Sequence, residues 1–165
     1  MSDVQCHFPN AHLIKEGLSR FKGIQIKVSQ YKTTCTVSQN GQIVLVGSES
    51  ITDAREAAWF MFTVLDGQGD DEFTITNIAS SVAWNHPLSL AKLYNNLRGS
   101  IHRPSDMVYE PELGTNCIDL RCEHGMAKIF STGNMVITGC KREADIIGTL
   151  RLTLCLINEN FNKNV

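Results

Sequence analysis

Cys117, Cys122 and His124 are the residues whose types and spacing come nearest to chemistry: they spell C-x4-C-x-H, a fragment of a metal-ligand pattern. A structural zinc site needs four protein ligands, usually from two paired knuckles, and neither a fourth ligand nor a second knuckle accompanies this fragment. Thiols along a strand are the simpler reading, and no metal is expected. Signatures of nucleophilic and phosphate chemistry are also lacking, with no glycine-rich phosphate loop, no H-E-x-x-H helix and no nucleophile elbow. Asp70, Asp71 and Glu72 make an acidic run, but GQGDDE has the composition of a solvated turn. These residues point away from an enzyme, and no cofactor is implied.

What must position any function is an internal repeat. TVSQNGQIVLVG (residues 36–47) aligns without gaps on KIFSTGNMVITG (residues 128–139). In each copy a short run leads to a turn glycine, Gly41 or Gly133, and an apolar run then ends at Gly47 or Gly139, which predicts a β-hairpin. Alternating strands precede the hairpins, KGIQIKV in the first copy and NCIDLRC in the second. Further upstream, Pro9 and Pro87 predict proline-opened helices. After the first hairpin a helix carries Ala54, Ala57, Ala58, Met61 and Leu65 on one stripe, with Thr52 as its N-cap. Its counterpart carries Ile146, Ile147, Leu150, Leu154 and Ile157. Each lobe thus reads helix, three strands, helix, and FTITNIASSVAWN adds a strand at the front of the second. The expected boundaries are a first lobe over 1–66, a linker over 67–72 and a second lobe over 73–165.

The hairpin strands are apolar at both parities: Ile43 and Leu45 alternate with Val44 and Val46, and Met135 and Ile137 alternate with Val136 and Thr138. A sheet with one wet face should alternate apolar and polar, and the helices of a lobe can cover only one face. Either the second face meets a partner, which the pattern favours, or its valines are tolerated in water.

With 165 residues, 42% of them hydrophobic, the chain can bury a core of its own. No run of about 18 apolar residues and no basic-then-apolar start appear, so neither a membrane span nor a secretory signal is readable. An intracellular protein is expected, and six cysteines lying mostly inside apolar runs are expected to be free thiols. A net charge of −2 argues against a strongly basic nucleic-acid binder, although it leaves room for a local basic stripe.

YEPEL (residues 109–113), IFSTGNMVITG (129–139) and FTITNI (73–78) resemble, in order and spacing, the second repeat of the TATA-binding protein core. Arg20, Phe21, Thr33, Thr34 and NGQIVLVG resemble the first repeat, so the likeness runs from about Pro9 to Asn158. It implies an α+β saddle: two pseudo-repeated lobes forming one curved antiparallel sheet, helices on the convex face, and a concave face that binds the minor groove of AT-rich promoter DNA. In the family, two pairs of phenylalanines wedge between base steps. Phe21 and Phe130 match one of each pair, whereas Ser38 and Gly114 stand where the others belong. Phe130 could instead be a core aromatic, but its parity with Val136 and Thr138 favours the concave face.

Asn77 matches an asparagine that donates to minor-groove acceptors. Val44, Val46, Val136 and Thr138 match small groove-facing positions, and Ala79 stands for a valine. Lys128 replaces an apolar residue and could reach phosphate; Lys141 is kept, while Glu49, Gln42 and Asn134 occupy positions that are usually basic. Against the family pattern about ten residues are wanting at the start, so the first strand of lobe one is absent, truncated or replaced by MSDVQCH. GSIHRPSDMV looks like an insertion. Glu110, Glu112 and Leu113 match the positions that dock transcription factor IIB. The resemblance therefore implies a general transcription initiation factor that bends promoter DNA and recruits a IIB-like protein, with other initiation factors as further partners. It would act in the nucleus or where a large DNA virus transcribes. The alternative is a TATA-binding-protein-like interaction module with reduced or no autonomous DNA binding.

Overall fold

In a computed structural model of the chain, the described residues are 11–13, 23–67, 72–84, 86–99 and 106–161. They fall into two compact units, Met1–Phe73 and Thr74–Val165.

The alternation of GIQIKV decides the first unit. Strand β2 (Gly23–Val28) buries Ile24, Ile26 and Val28 and turns Gln25 and Lys27 to the other side. It pairs antiparallel with β3 (Thr33–Ser38), which pairs with β4 (Ile43–Val46), while β1 (Ala11–Leu13) closes the other edge of β2. Helix α1 (Ile51–Val64) lays Ala57 and Met61 on the buried side, so Met61 packs with Ile24, Ile26, Val28 and Cys35. Each such side chain contributes about 1.5–3 kcal/mol on burial. Ser50, not the expected Thr52, caps the helix: its Oγ accepts from the Asp53 N–H at 3.0 Å and donates to the Asp53 carboxylate at 2.7 Å. The Ser-x-x-Asp pair satisfies one of the unpaired first-turn donors. The helix expected from Pro9 is also corrected, because Ala11–Leu13 is a strand in register with Ile26 to Ile24. Proline permits a first helical turn without enforcing one, and here the edge of β2 supplies a ladder instead. On the outer side of α1, Trp59 is 63% exposed and stacks on Phe62.

The second unit repeats β2–β3–β4–α1 as β7 (Cys117–Cys122), β8 (Gly125–Phe130), β9 (Asn134–Cys140) and α3 (Glu143–Phe161). Before them come β5 (Ile78–Ala83), α2 (Leu90–Arg98), β6 (Asp106–Val108) and a 3-10 turn at Pro111–Leu113. The sheet order is β5-β9-β8-β7-β6. Strand β6 occupies the end of GSIHRPSDMV, so that stretch ends in the sheet. Ile118, Leu120, Ala127, Ile129, Met135 and Ile137 all point to one side, where Leu93 and Leu97 of α2 and Leu156 and Ile157 of α3 cover them. Trp84 packs against the same core with its indole nitrogen buried. The stripe expected on α3 is shifted: Ile147 is exposed, and Thr149 and Thr153 are buried. Thr153 manages this by donating its hydroxyl to the Thr149 carbonyl at 2.8 Å, so no polar hydrogen is stranded. The hairpin turn needs Gly133, which has φ +87° and sits so close to the His86 backbone that no Cβ would fit.

Among the described residues β9 is flanked on both sides, by β5 and β8, whereas its repeat counterpart β4 pairs only with β3.

Candidate nucleic-acid interface

Because side chains alternate along a strand, the residues that do not face the helices form a second, open face on each sheet. In the first unit this face carries Gln25, Lys27, Thr34, Thr36, Ser38, Val44 and Val46, with Val44 40% and Val46 63% exposed. In the second unit Val136 of β9 lies opposite Lys128 of β8 and Ser81 of β5, and Thr138 lies opposite Met126. Phe130 shares the parity of Met126 and Lys128, while Ala127, Ile129 and Ile137 are buried beneath. Phe130, Val136 and Thr138 therefore share the open face. Cys117, Asp119 and Arg121 continue it on β7. Phe21 lies outside the described residues.

Asn77, exposed just before β5, is held from one end. Its Oδ1 accepts the Gly139 N–H at 2.7 Å and lies 3.4 Å from the Thr138 hydroxyl. With the carbonyl oxygen so engaged, the amide NH2 is the end left to donate outward. Gly139, at φ +79°, is the penultimate residue of β9 and holds a conformation that a side chain would strain. The glycine at the repeat's end thus also anchors Asn77. Asn77 and Thr138 border an open depression of about 910 Å³ that Arg121, His124, Lys141 and Arg142 also line.

The charges of the open face are mostly self-paired. Lys128 Nζ donates to both carboxylate oxygens of Asp119, at 2.8 and 2.7 Å, and this bond holds the ammonium pKa above its ordinary value. Arg121 lies 3.3 Å from Asp106. The Cys117 thiol, raised in pKa chiefly by burial and then by its hydrogen bond to Asp119, approaches the same carboxylate at 3.4 Å. Glu49 accepts from Lys32 at 2.9 Å on the surface of the first unit. At the start of α3, Arg142 donates to both oxygens of Asp145, and these bonds hold the carboxyl below its usual range. Lys141 is exposed beside them.

The two positions where the family pattern wants further phenylalanines have local roles. Ser38 Oγ donates to the Gln42 carbonyl at 2.7 Å and so clasps the first hairpin, whose turn passes through Gly41 at φ +83°. Gly114 ends the 3-10 turn at φ +79°, a conformation costly for any residue with a side chain. That turn presents Glu110, Glu112 and Leu113, the last 73% exposed, while Tyr109 behind them packs on Tyr94 with ring centroids 5.5 Å apart. Sequence reasoning missed Lys27 and Asp119 as open-face residues, although the alternation of GIQIKV and CIDLRC carries that signal. Gln42 and Asn134 lie in the hairpins, Gln42 donating its N–H to the Asn40 side chain and Asn134 to that of Thr132. Among the described residues no three His, Cys, Asp or Glu side chains converge as metal ligands, and no helix is long and apolar enough to cross a membrane.

The family model for transcription factor TFIID, or TATA-binding protein, matches residues 72–159. TATA-box-binding protein 2 of Haloferax volcanii is 30% identical over 131 residues, covering 76% of this chain and 68% of the relative. TATA-box-binding protein of Pyrodictium occultum is 29% identical, with 77% and 63% covered. TATA box-binding protein-like 2 of Mus musculus is 27% identical over 83% of this chain, which spans 39% of that relative. Among solved structures, Methanococcus jannaschii TBP superposes with a TM-score of 0.69 over 96% of this chain and 88% of its own, at 23% identity.

Proposed function

The chain belongs to the TATA-binding protein family, and from that premise we propose that it is a transcription initiation factor that binds duplex promoter DNA in the minor groove. Binding would use the open face of each sheet. Bending by apolar wedges is known of TATA-binding proteins and is carried over with the family; here Phe130, and Phe21 by sequence, would supply it. Val44, Val46, Val136 and Thr138 give the small, close-fitting surface a narrow groove requires. The observation that carries the reading is Asn77. Its amide oxygen is occupied by the Gly139 N–H, so its NH2 is presented beside the face that bears Thr138 and Val136. Two donors there suit the A N3 and T O2 acceptors, which look alike for A·T and T·A pairs.

Glu110, Glu112 and Leu113 would dock a IIB-like protein, since an exposed acidic pair beside an exposed leucine fits a basic partner with an apolar contact. The site of action would be wherever the genome is transcribed, the nucleus in a eukaryotic cell. A second reading, an interaction module with little autonomous DNA binding, is favoured by the self-paired charges of the open face.

Gel-shift and bending measurements on TATA and scrambled duplexes, with and without a IIB-like partner, test both. Binding and bending of the TATA duplex by the protein alone support the first reading. Binding only with the partner present, or to neither duplex, supports the second.

A further inference from the structure

Every cation on the strands β6 to β8 of the open face has an acid of the same face beside it, Lys128 with Asp119 and Arg121 with Asp106. The first pair is the tighter. Asp119 and Lys128 stand directly opposite in the β7–β8 register, and the bond is bidentate at 2.7 and 2.8 Å. Both side chains are about one-third exposed, 34% and 35%, so the pair is reachable from the face. The same carboxylate also takes the Cys117 thiol.

A pair of this kind is not required by the sheet, because the repeat supplies its neutral counterpart. The gapless alignment puts Thr36 at the place of Lys128, and the β2–β3 register puts Gln25 opposite Thr36 where Asp119 stands opposite Lys128. Two of the four charges on these strands are negative, on a face that in the proposed complex meets a polyanion.

We propose that Asp119 is a residue that tempers DNA affinity: it holds Lys128 in a cross-strand pair and presents a negative charge to the groove, withholding the lysine from phosphate. The inference rests on the minor-groove reading above. Affinity that comes from phosphate attraction is independent of sequence, whereas contacts to base edges and steps are not. A lysine kept from phosphate therefore lowers binding to all duplexes and leaves discrimination to Asn77 and Phe130. Lys128's raised pKa agrees with a lysine that remains charged while paired.

The test is Asp119→Asn, alone and combined with Lys128→Ala, titrated against TATA and scrambled duplexes over a range of salt, with thermal melts to verify the fold. Asp119→Asn is expected to tighten scrambled and TATA duplex alike, about tenfold, and to steepen the salt slope by about one unit, one more phosphate being neutralised. In the Lys128→Ala background most of that gain should vanish. If the wild type binds but Asp119→Asn changes neither affinity nor slope, the assignment is overturned while the DNA reading stands. A gain undiminished without Lys128 overturns the pairing mechanism and leaves simple repulsion. If neither wild type nor Asp119→Asn binds any duplex, the DNA reading fails and this inference fails with it.

Discussion

Phe130 and Asn77 are the residues on which the DNA reading turns, and they fail in different ways when changed. Phe130→Ala removes apolar surface from the open face, about 2 kcal/mol of contact. Duplex affinity measured by gel shift should fall roughly thirty-fold, with a smaller bend angle. The fold should survive, since Ile129 and not Phe130 is fully buried. Asn77→Asp is the sharper probe. A carboxylate still accepts the Gly139 N–H, so local structure is kept, but the outward donors are replaced by an acceptor facing the groove acceptors. Affinity for TATA duplex should drop at least tenfold, and a variant that binds normally would remove Asn77 from the interface. Much of this was readable from spacing: parity alone put Phe130, Val136 and Thr138 on one face. The bond from Gly139 to Asn77 was not, because its partners lie 62 positions apart in sequence. Nor could the sequence tell that Ser38 clasps a hairpin or that Gly114 sits at positive φ, which depend on turn geometry rather than on residue type.

At the scale of elements, the repeat carried most of the fold into view. Hairpins, turn glycines and the helices behind them follow from local periodicity, and strands β2 to β4 and β7 to β9 lie where the pattern puts them. Ala11–Leu13 was misread because three residues cannot display a period, and only pairing with β2 makes them a strand. The shifted stripe of α3 has a different origin, since a threonine whose hydroxyl is bonded internally, as that of Thr153 is, can stand in for an aliphatic residue in a core. The start of α3 also has a titratable element. Arg142 depresses the Asp145 carboxyl, so the unfolded chain takes up the proton first as pH falls. The stabilisation is therefore complete above the ordinary aspartate value of about 4 and is lost as pH falls through the lower folded value. Acid unfolding followed by circular dichroism should show this decline in the wild type, and Asp145→Asn should flatten it.

For the whole molecule, division of labour between DNA and partner should be separable. Reversing charge with Glu110→Lys and Glu112→Lys should weaken a IIB-like protein's binding about tenfold or more. Stability should be unchanged, because both side chains are exposed. DNA affinity should hold or rise slightly. Calorimetry with the partner against thermal melts of the protein alone separates the effects, and unchanged partner affinity would withdraw the docking assignment. The placement of the two tryptophans has an experimental consequence of another kind. Trp59 is largely in water on the first unit, and Trp84 packs against the core of the second. One fluorophore per unit makes the chain its own two-channel reporter: Trp59 should emit at long wavelength and be readily quenched by iodide, Trp84 at shorter wavelength and be shielded. Single Trp→Phe variants titrated with urea will show whether the two units unfold together or in turn, and coincident transitions would mean that one cooperative structure links them.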